Sequence, residues 1–208
     1  PHYRKDLLSV IDMEYDGETE SFQLNQTLSV DLTLFMEEEQ PALINLWKRD
    51  EKALWLAQLL QGKLKDEKVL VLCTTRPTAL ALQKTVEGLT GIECELFHEQ
   101  MEMVDRDRAA ARFAEPDGVP VLIASEIGSE GRNFQFSHNI VMFDLPSTPG
   151  LLEQRIGRLD RIGQKKVVEI HVPYVENSMQ HRLFEWYHHA LGAFVEPLMG
   201  IEQIHDQF

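Results

Sequence analysis

From Lys68 onward the chain alternates short apolar runs with amphipathic stretches of helix length, and this alternation restricts the fold more than any other feature. Val69–Cys73, Ile92–Phe97, Val119–Ala124, Ile140–Phe143 and Val167–Val172 are strand-like. Thr78–Leu89, with Pro77 near its start, and Asp105–Ala114 are helical. A third helix opens with Thr148 as N-cap and Pro149 at N1, and Gly163 closes it. Apolar strands separated by helices need crossover connections, which implies an α/β fold with a parallel sheet covered on both faces. Ligands in such sheets sit at the carboxyl ends of the strands. Chemistry is therefore expected in the loops after Cys73, Phe97, Ala124 and Asp144.

The flanks have a different texture. Phe22, Leu24, Leu28, Val30, Leu32 and Leu34 fall on even positions with polar residues between them, a period of two broken at Gln26. The Asp16-Gly17 turn signal before this run permits a hairpin with Leu7–Met13. Leu43, Leu46, Trp47, Leu54 and Ala57 form a helical stripe, interrupted at Asp50 and ending near Gly62. Ser178–Phe194 is amphipathic, with Leu183, Trp186, Tyr187, Ala190, Leu191 and Phe194 apolar. That face suits core packing or, as the alternative, docking against a neighbouring domain. Three units are expected: a β-hairpin-like arm (1–40), the α/β lobe (41–175) and a C-terminal helical extension (176–208).

No apolar run approaches the roughly 20 residues that a membrane-spanning helix needs. The start, Pro1-His2-Tyr3, contains no signal peptide or initiator Met, as expected of an excised fragment. Cys73 and Cys94 lack metal-ligand spacing and read as reduced core residues of a cytosolic protein. The histidines form no metal constellation, so no metal site is expected. The net charge of −14 argues against generic attraction to nucleic acid. Its distribution is uneven. Residues 1–60 hold 12 acidic against 5 basic side chains, whereas Leu151–Lys166 sets Arg155, Arg158, Arg161, Lys165 and Lys166 against only Glu153 and Asp160.

The arginine window reads Gln154-Arg155-Ile156-Gly157-Arg158-Leu159-Asp160-Arg161-Ile162-Gly163-Gln164. On a helix, Leu152, Ile156 and Leu159 share the core face, and the three arginines step away from it along one side. Guanidinium is always charged and donates paired, planar hydrogen bonds, which suits phosphate. Three such groups are expected to converge on a shared anion.

Q-R-x-G-R-x-x-R-x-G-Q resembles the sixth motif of superfamily-two helicases and translocases, and its R-I-G-Q ending resembles the Swi/Snf branch. Ser125–Phe134 resembles the fifth motif, Val69–Thr75 the fourth, and Phe97-His-Glu-Gln-Met101 with Arg106 and Phe113 the H-G-x-M…R…F stretch. The wording SEIGSEGRNFQF and DLP…LLEQRIGRLDRIGQ resembles the bacterial RNA polymerase-associated translocases of this branch. The resemblance is tight over about residues 66–175, loose over 41–62 and slight before that. It implies a RecA-like lobe in which Arg158 and Arg161 are the arginine-finger pair, completing an ATP site across a cleft from another lobe. Gln154 and Arg155 would support them. Glu130, Gly131 and Asn133 would lie at the cleft on the nucleotide side, while Thr74, Thr75 and Ser125 would face the nucleic-acid backbone. His98 takes a structural or backbone-contact role; Glu99 stands where the family commonly has glycine. The implied cofactor is ATP with Mg²⁺. The implied partners are a first RecA-like lobe, nucleic acid (duplex DNA) and bacterial RNA polymerase, in the cytoplasm.

The chain has no G-x-x-x-x-G-K-[ST] loop to cradle phosphates. Asp66-Glu67 precedes a strand, whereas metal-side carboxylates belong at a strand's carboxyl end. ATP hydrolysis by this chain alone is therefore not expected. The rival reading is a non-enzymatic RNA polymerase-docking module on the same fold.

Overall fold

The computed structural model describes residues 4–6, 47–126 and 133–197. Its centre is a parallel sheet of β2 (Val69–Cys73), β3 (Cys94–Phe97), β4 (Val121–Ser125), β5 (Asn139–Met142) and β6 (Val168–His171). A short β1 (Arg4–Asp6) pairs in parallel with β6, giving the order β1-β6-β5-β2-β4-β3. The Leu7–Met13 and Phe22–Leu34 runs of the expected arm lie outside the described residues.

Successive β2 residues point to opposite faces and feed two cores. Val69, Val71 and Cys73 pack with α1 (Glu51–Gln61) and α2 (Arg76–Thr90). Leu70 and Leu72 pack on the other side with α3 (Met103–Ala114), α4 (Pro149–Ile156) and the C-terminal segment. Both faces are thus covered, as continuous apolar strands require. Cys73 and Cys94 are free and buried; burial pushes both thiols up, so they remain protonated core groups.

Local chemistry sets the helix ends. Asp50, which interrupts the apolar stripe, is the N-cap of α1, its carboxylate accepting from the Ala53 amide at 2.8 Å. Thr75 and Thr148 cap α2 and α4, each followed by a proline in the first turn. Gly91, at φ 71°, closes α2 in the left-handed conformation that glycine adopts without strain.

The expected single helix from Ser178 to Phe194 is divided. An α-helical α5 (Met179–Glu185) passes into a π-helical turn, Trp186–Ala190. The wider turn rotates the stripe, so Phe184, Tyr187 and Phe194 are buried while Trp186 stands exposed. The Tyr187 hydroxyl donates to the Pro146 carbonyl at 2.7 Å, tying this segment to the loop after β5.

Candidate functional site at the carboxyl edge of the sheet

Strands β4, β2 and β5 are neighbours, and their carboxyl ends deliver Glu126, Thr74 and Asp144 to one place. Arg155, from the last turn of α4, enters this place and has no exposed surface. Its Nε donates to Glu126 Oε2 at 2.8 Å, and Nη2 binds the same carboxylate. Nη1 donates to the Asp144 carbonyl, and Nη2 also reaches Thr74 Oγ1 at 3.4 Å. One guanidinium therefore joins three strand ends. The Asp144 carboxylate adds two ties, accepting from the Thr74 amide and pairing with Lys52 of α1, each at 3.3 Å.

The arginines do not share one helix, in contrast to the reading from the sequence. α4 ends at Ile156, and residues 157–163 continue as turns. Carbonyls that a continuing helix would bond internally are instead taken by groups outside it: Phe134 N–H donates to Arg158 O, and Gln164 Nε2 to Leu159 O. The same Gln164 amide donates to the Gln135 and Ser137 carbonyls at 3.0 Å, fastening this segment to residues 133–137. Leu152, Ile156 and Leu159 still fill the core. Exposure rises along the arginines: Arg155 is buried, Arg158 is 3% exposed, and Arg161 is in solvent with its Nε donating to the Gly157 carbonyl. Gln154 is exposed too. The arrangement thus buries Arg155 and Arg158 and leaves Arg161 in solvent, rather than sending all three outward.

Thr74 and Thr75 follow β2 and are exposed; the Thr75 hydroxyl is occupied as the α2 cap, accepting from the Thr78 amide. Ser125 ends β4 and is buried, its hydroxyl donating to Glu99 Oε2 at 2.7 Å. His98 accepts from the Gln100 amide through Nδ1. Burial lowers its pKa, outweighing Glu99, with Arg76 and Arg106 acting in the same direction as burial. Burial alone would push the Glu99 carboxyl up, but the Ser125 hydroxyl, a backbone hydrogen bond, His98 and Arg76 together hold it below its ordinary value. Asn133 is exposed, its side-chain oxygen accepting from the Gln135 amide. Glu130 and Gly131 lie outside the described residues.

Sequence reasoning missed Glu126, Asp144 and Lys52. Each carries a weak signal: a charged residue immediately after a buried strand, or on the first turn of a helix facing one. Which charges meet depends on strand order, which local patterning does not specify.

The profile of the helicase conserved C-terminal domain matches residues 51–163, more than half of the chain. The chain belongs to that family. A second profile, the RNA polymerase recycling family C-terminal region, matches residues 167–208 of this helicase C-terminal domain chain. The RNA polymerase-associated protein RapA of Pseudomonas fluorescens (strain SBW25) is 55% identical over 163 residues, 78% of this chain and 17% of that protein. RapA of Stutzerimonas stutzeri (strain A1501) is 54% identical over 177 residues, 84% of this chain and 18% of its own length. The chain thus spans less than a fifth of these relatives. Among solved structures, the C-terminal part of the Fun30 ATPase domain matches with a TM-score of 0.57 at 21% identity, covering 79% of this chain and 53% of that one. The Sulfolobus solfataricus SWI2/SNF2 ATPase C-terminal domain matches with a TM-score of 0.51 at 14% identity, covering 93% and 82%. These likenesses establish the RecA-like helicase fold of the lobe.

Proposed function

We propose that this chain is the second RecA-like lobe of an ATP-dependent, RNA polymerase-associated nucleic-acid translocase of the bacterial cytoplasm. In this reading it supplies arginines to an ATP site whose phosphate-binding loop belongs to a first lobe. The observation that carries the reading is the position of Arg158 and Arg161. They lie in a helicase C-terminal domain that lacks a phosphate loop, Arg158 buried and Arg161 in solvent, in the segment that follows the helix carrying Arg155. An arginine reaching the γ-phosphate from outside the phosphate loop contributes roughly a thousandfold or more to phosphoryl transfer.

The donor set fits a triphosphate: the exposed Arg161 guanidinium can donate to phosphate oxygens, and Arg158, buried three residues before it, would have to turn outward to add a second donor. Mg²⁺ would be held by carboxylates of the first lobe, and ATP with Mg²⁺ supplies the transferable phosphoryl group. Arg155 takes a different role from its two followers. Bound to Glu126, Asp144 and Thr74, it positions the segment that carries them. Gln154, Glu130, Gly131 and Asn133 would line the nucleotide side of the cleft. Thr74, Thr75, His98 and Ser125 would lie toward duplex DNA. The names of the RapA relatives and the match at residues 167–208 support RNA polymerase as the partner.

The test is reconstitution. The chain alone is expected to hydrolyse no ATP. Mixing it with a separately produced first lobe that carries the phosphate loop is expected to give DNA-stimulated hydrolysis. Turnover by the isolated chain that survives repeated purification, or no turnover from the reconstituted pair, would contradict the reading.

A further inference from the structure

Ser125 and Glu99 meet because β3 and β4 are parallel neighbours in the register Phe97↔Ala124. The last residue of β4 and the segment just beyond β3 therefore emerge side by side. Ser125 is buried and Glu99 is exposed, so the carboxylate covers the hydroxyl from the solvent side. His98 and Arg76 lie within electrostatic reach of Glu99, and Arg106 within reach of His98. Arg76 opens α2, and its charge acts on both His98 and Glu99; Arg106 of α3 acts on His98. Arg106 Nε is buried and makes no hydrogen bond among the described residues. A hydroxyl donor with cations about it is a site for an oxyanion, and here the oxyanion belongs to the chain itself.

We propose that Ser125, His98, Arg76 and Arg106 form a seat for a nucleic-acid phosphate, and that the Glu99 carboxylate occupies this seat until a phosphate displaces it. The inference rests on the nucleic-acid reading above and adds a competing ligand to it. A carboxylate and a phosphodiester carry the same charge and accept the same hydrogen bonds, so they exclude one another from the Ser125 hydroxyl. Glu99 is held ionised at neutral pH, so the exchange is anion for anion and needs no proton transfer. The consequence is a grip on the track weaker by one phosphate contact.

The test uses the whole chain, with fluorescence anisotropy of a labelled short duplex DNA over a series of salt concentrations. Glu99→Ala is expected to bind about tenfold more tightly than wild type. Its log–log salt slope should be steeper by about one, the signature of one added phosphate contact. Glu99→Gln, which keeps an acceptor without the charge, should fall between the two. Glu102→Ala makes the same change of charge three residues away at an exposed position and should gain less than about twofold. Adding Ser125→Ala to Glu99→Ala should remove the gain, with thermal melting confirming that the double variant is folded. A Glu99→Ala gain that equals that of Glu102→Ala, or that persists without Ser125, overturns the proposal. Salt-dependent binding by wild type with no gain in Glu99→Ala removes the competing carboxylate alone. Absence of salt-dependent binding in both removes the nucleic-acid reading and the proposal together.

Discussion

Arg155 and Glu126 form an ion pair in which the guanidinium is wholly buried and holds one carboxylate oxygen through both Nε and Nη2. The pair joins the end of β4 to the helix that leads into the arginine segment. Removing one partner strands the other charge, which costs far more than the pair contributes relative to an apolar replacement. Glu126→Ala is therefore expected to lower stability by roughly 3–5 kcal/mol, measured by urea denaturation. Arg155→Lys should not rescue the site. A lysine cannot reach Glu126, the Asp144 carbonyl and Thr74 with one planar group. An Arg155→Lys protein as stable as wild type would contradict this.

Gln164 acts at the other end of the same segment. Its amide nitrogen serves the carbonyls of Gln135, Ser137 and Leu159. Gln164→Ala is expected to cost about 1–3 kcal/mol and to speed amide hydrogen exchange at Phe134, whose N–H bonds the Arg158 carbonyl. Unchanged exchange at Phe134 would show that the two segments are held together by something else.

His171 gives the fold a dependence on pH. It ends β6 with no exposed surface, and neither ring nitrogen has a hydrogen bond among the described residues. Burial first, and then Lys63, lower its pKa from 6.5 to about 4. The unfolded chain takes up a proton near pH 6.5 that the folded chain refuses until about pH 4. Stability contributed by this residue is present above pH 6.5 and is lost as pH falls through that window, by an amount on the order of 3 kcal/mol. Urea midpoints should fall between pH 7 and pH 4.5, and His171→Leu should flatten that part of the profile. Equal slopes in variant and wild type would contradict the assignment.

Much of this was readable from residue patterns, and the limits have physical causes. The strands of the lobe stood out because burial on both faces makes them continuous apolar runs, and caps such as Thr75 and Thr148 act locally. The end of α4 was not readable, because Gly157–Gln164 keeps helical periodicity in its apolar residues. Phe134, distant in sequence, takes the Arg158 carbonyl, and the Gln164 side chain takes that of Leu159. For the same reason Arg155 read as a ligand-facing arginine. Its partners Glu126 and Asp144 become neighbours only once β4, β2 and β5 are ordered in the sheet. Ser125 likewise read as open to the nucleic-acid backbone until Glu99 was placed beside it.

The difference in burial between Arg158 and Arg161 governs how their substitutions should be interpreted. Arg158→Ala removes a buried side chain and is expected to cost about 2 kcal/mol of stability. Arg161→Ala changes an exposed residue and should leave stability within about 0.5 kcal/mol. Comparable losses of stability in the two variants would contradict this placement.

Arg161 therefore offers the cleanest measurement of whether this chain serves a nucleotide held by another lobe. Single-turnover ATP hydrolysis by the reconstituted two-lobe protein, with saturating DNA, should slow by a thousandfold or so in Arg161→Ala while ATP affinity changes little. Hydrolysis within about twofold of wild type in that variant, with the fold intact, would contradict the assignment of Arg161 as an arginine finger.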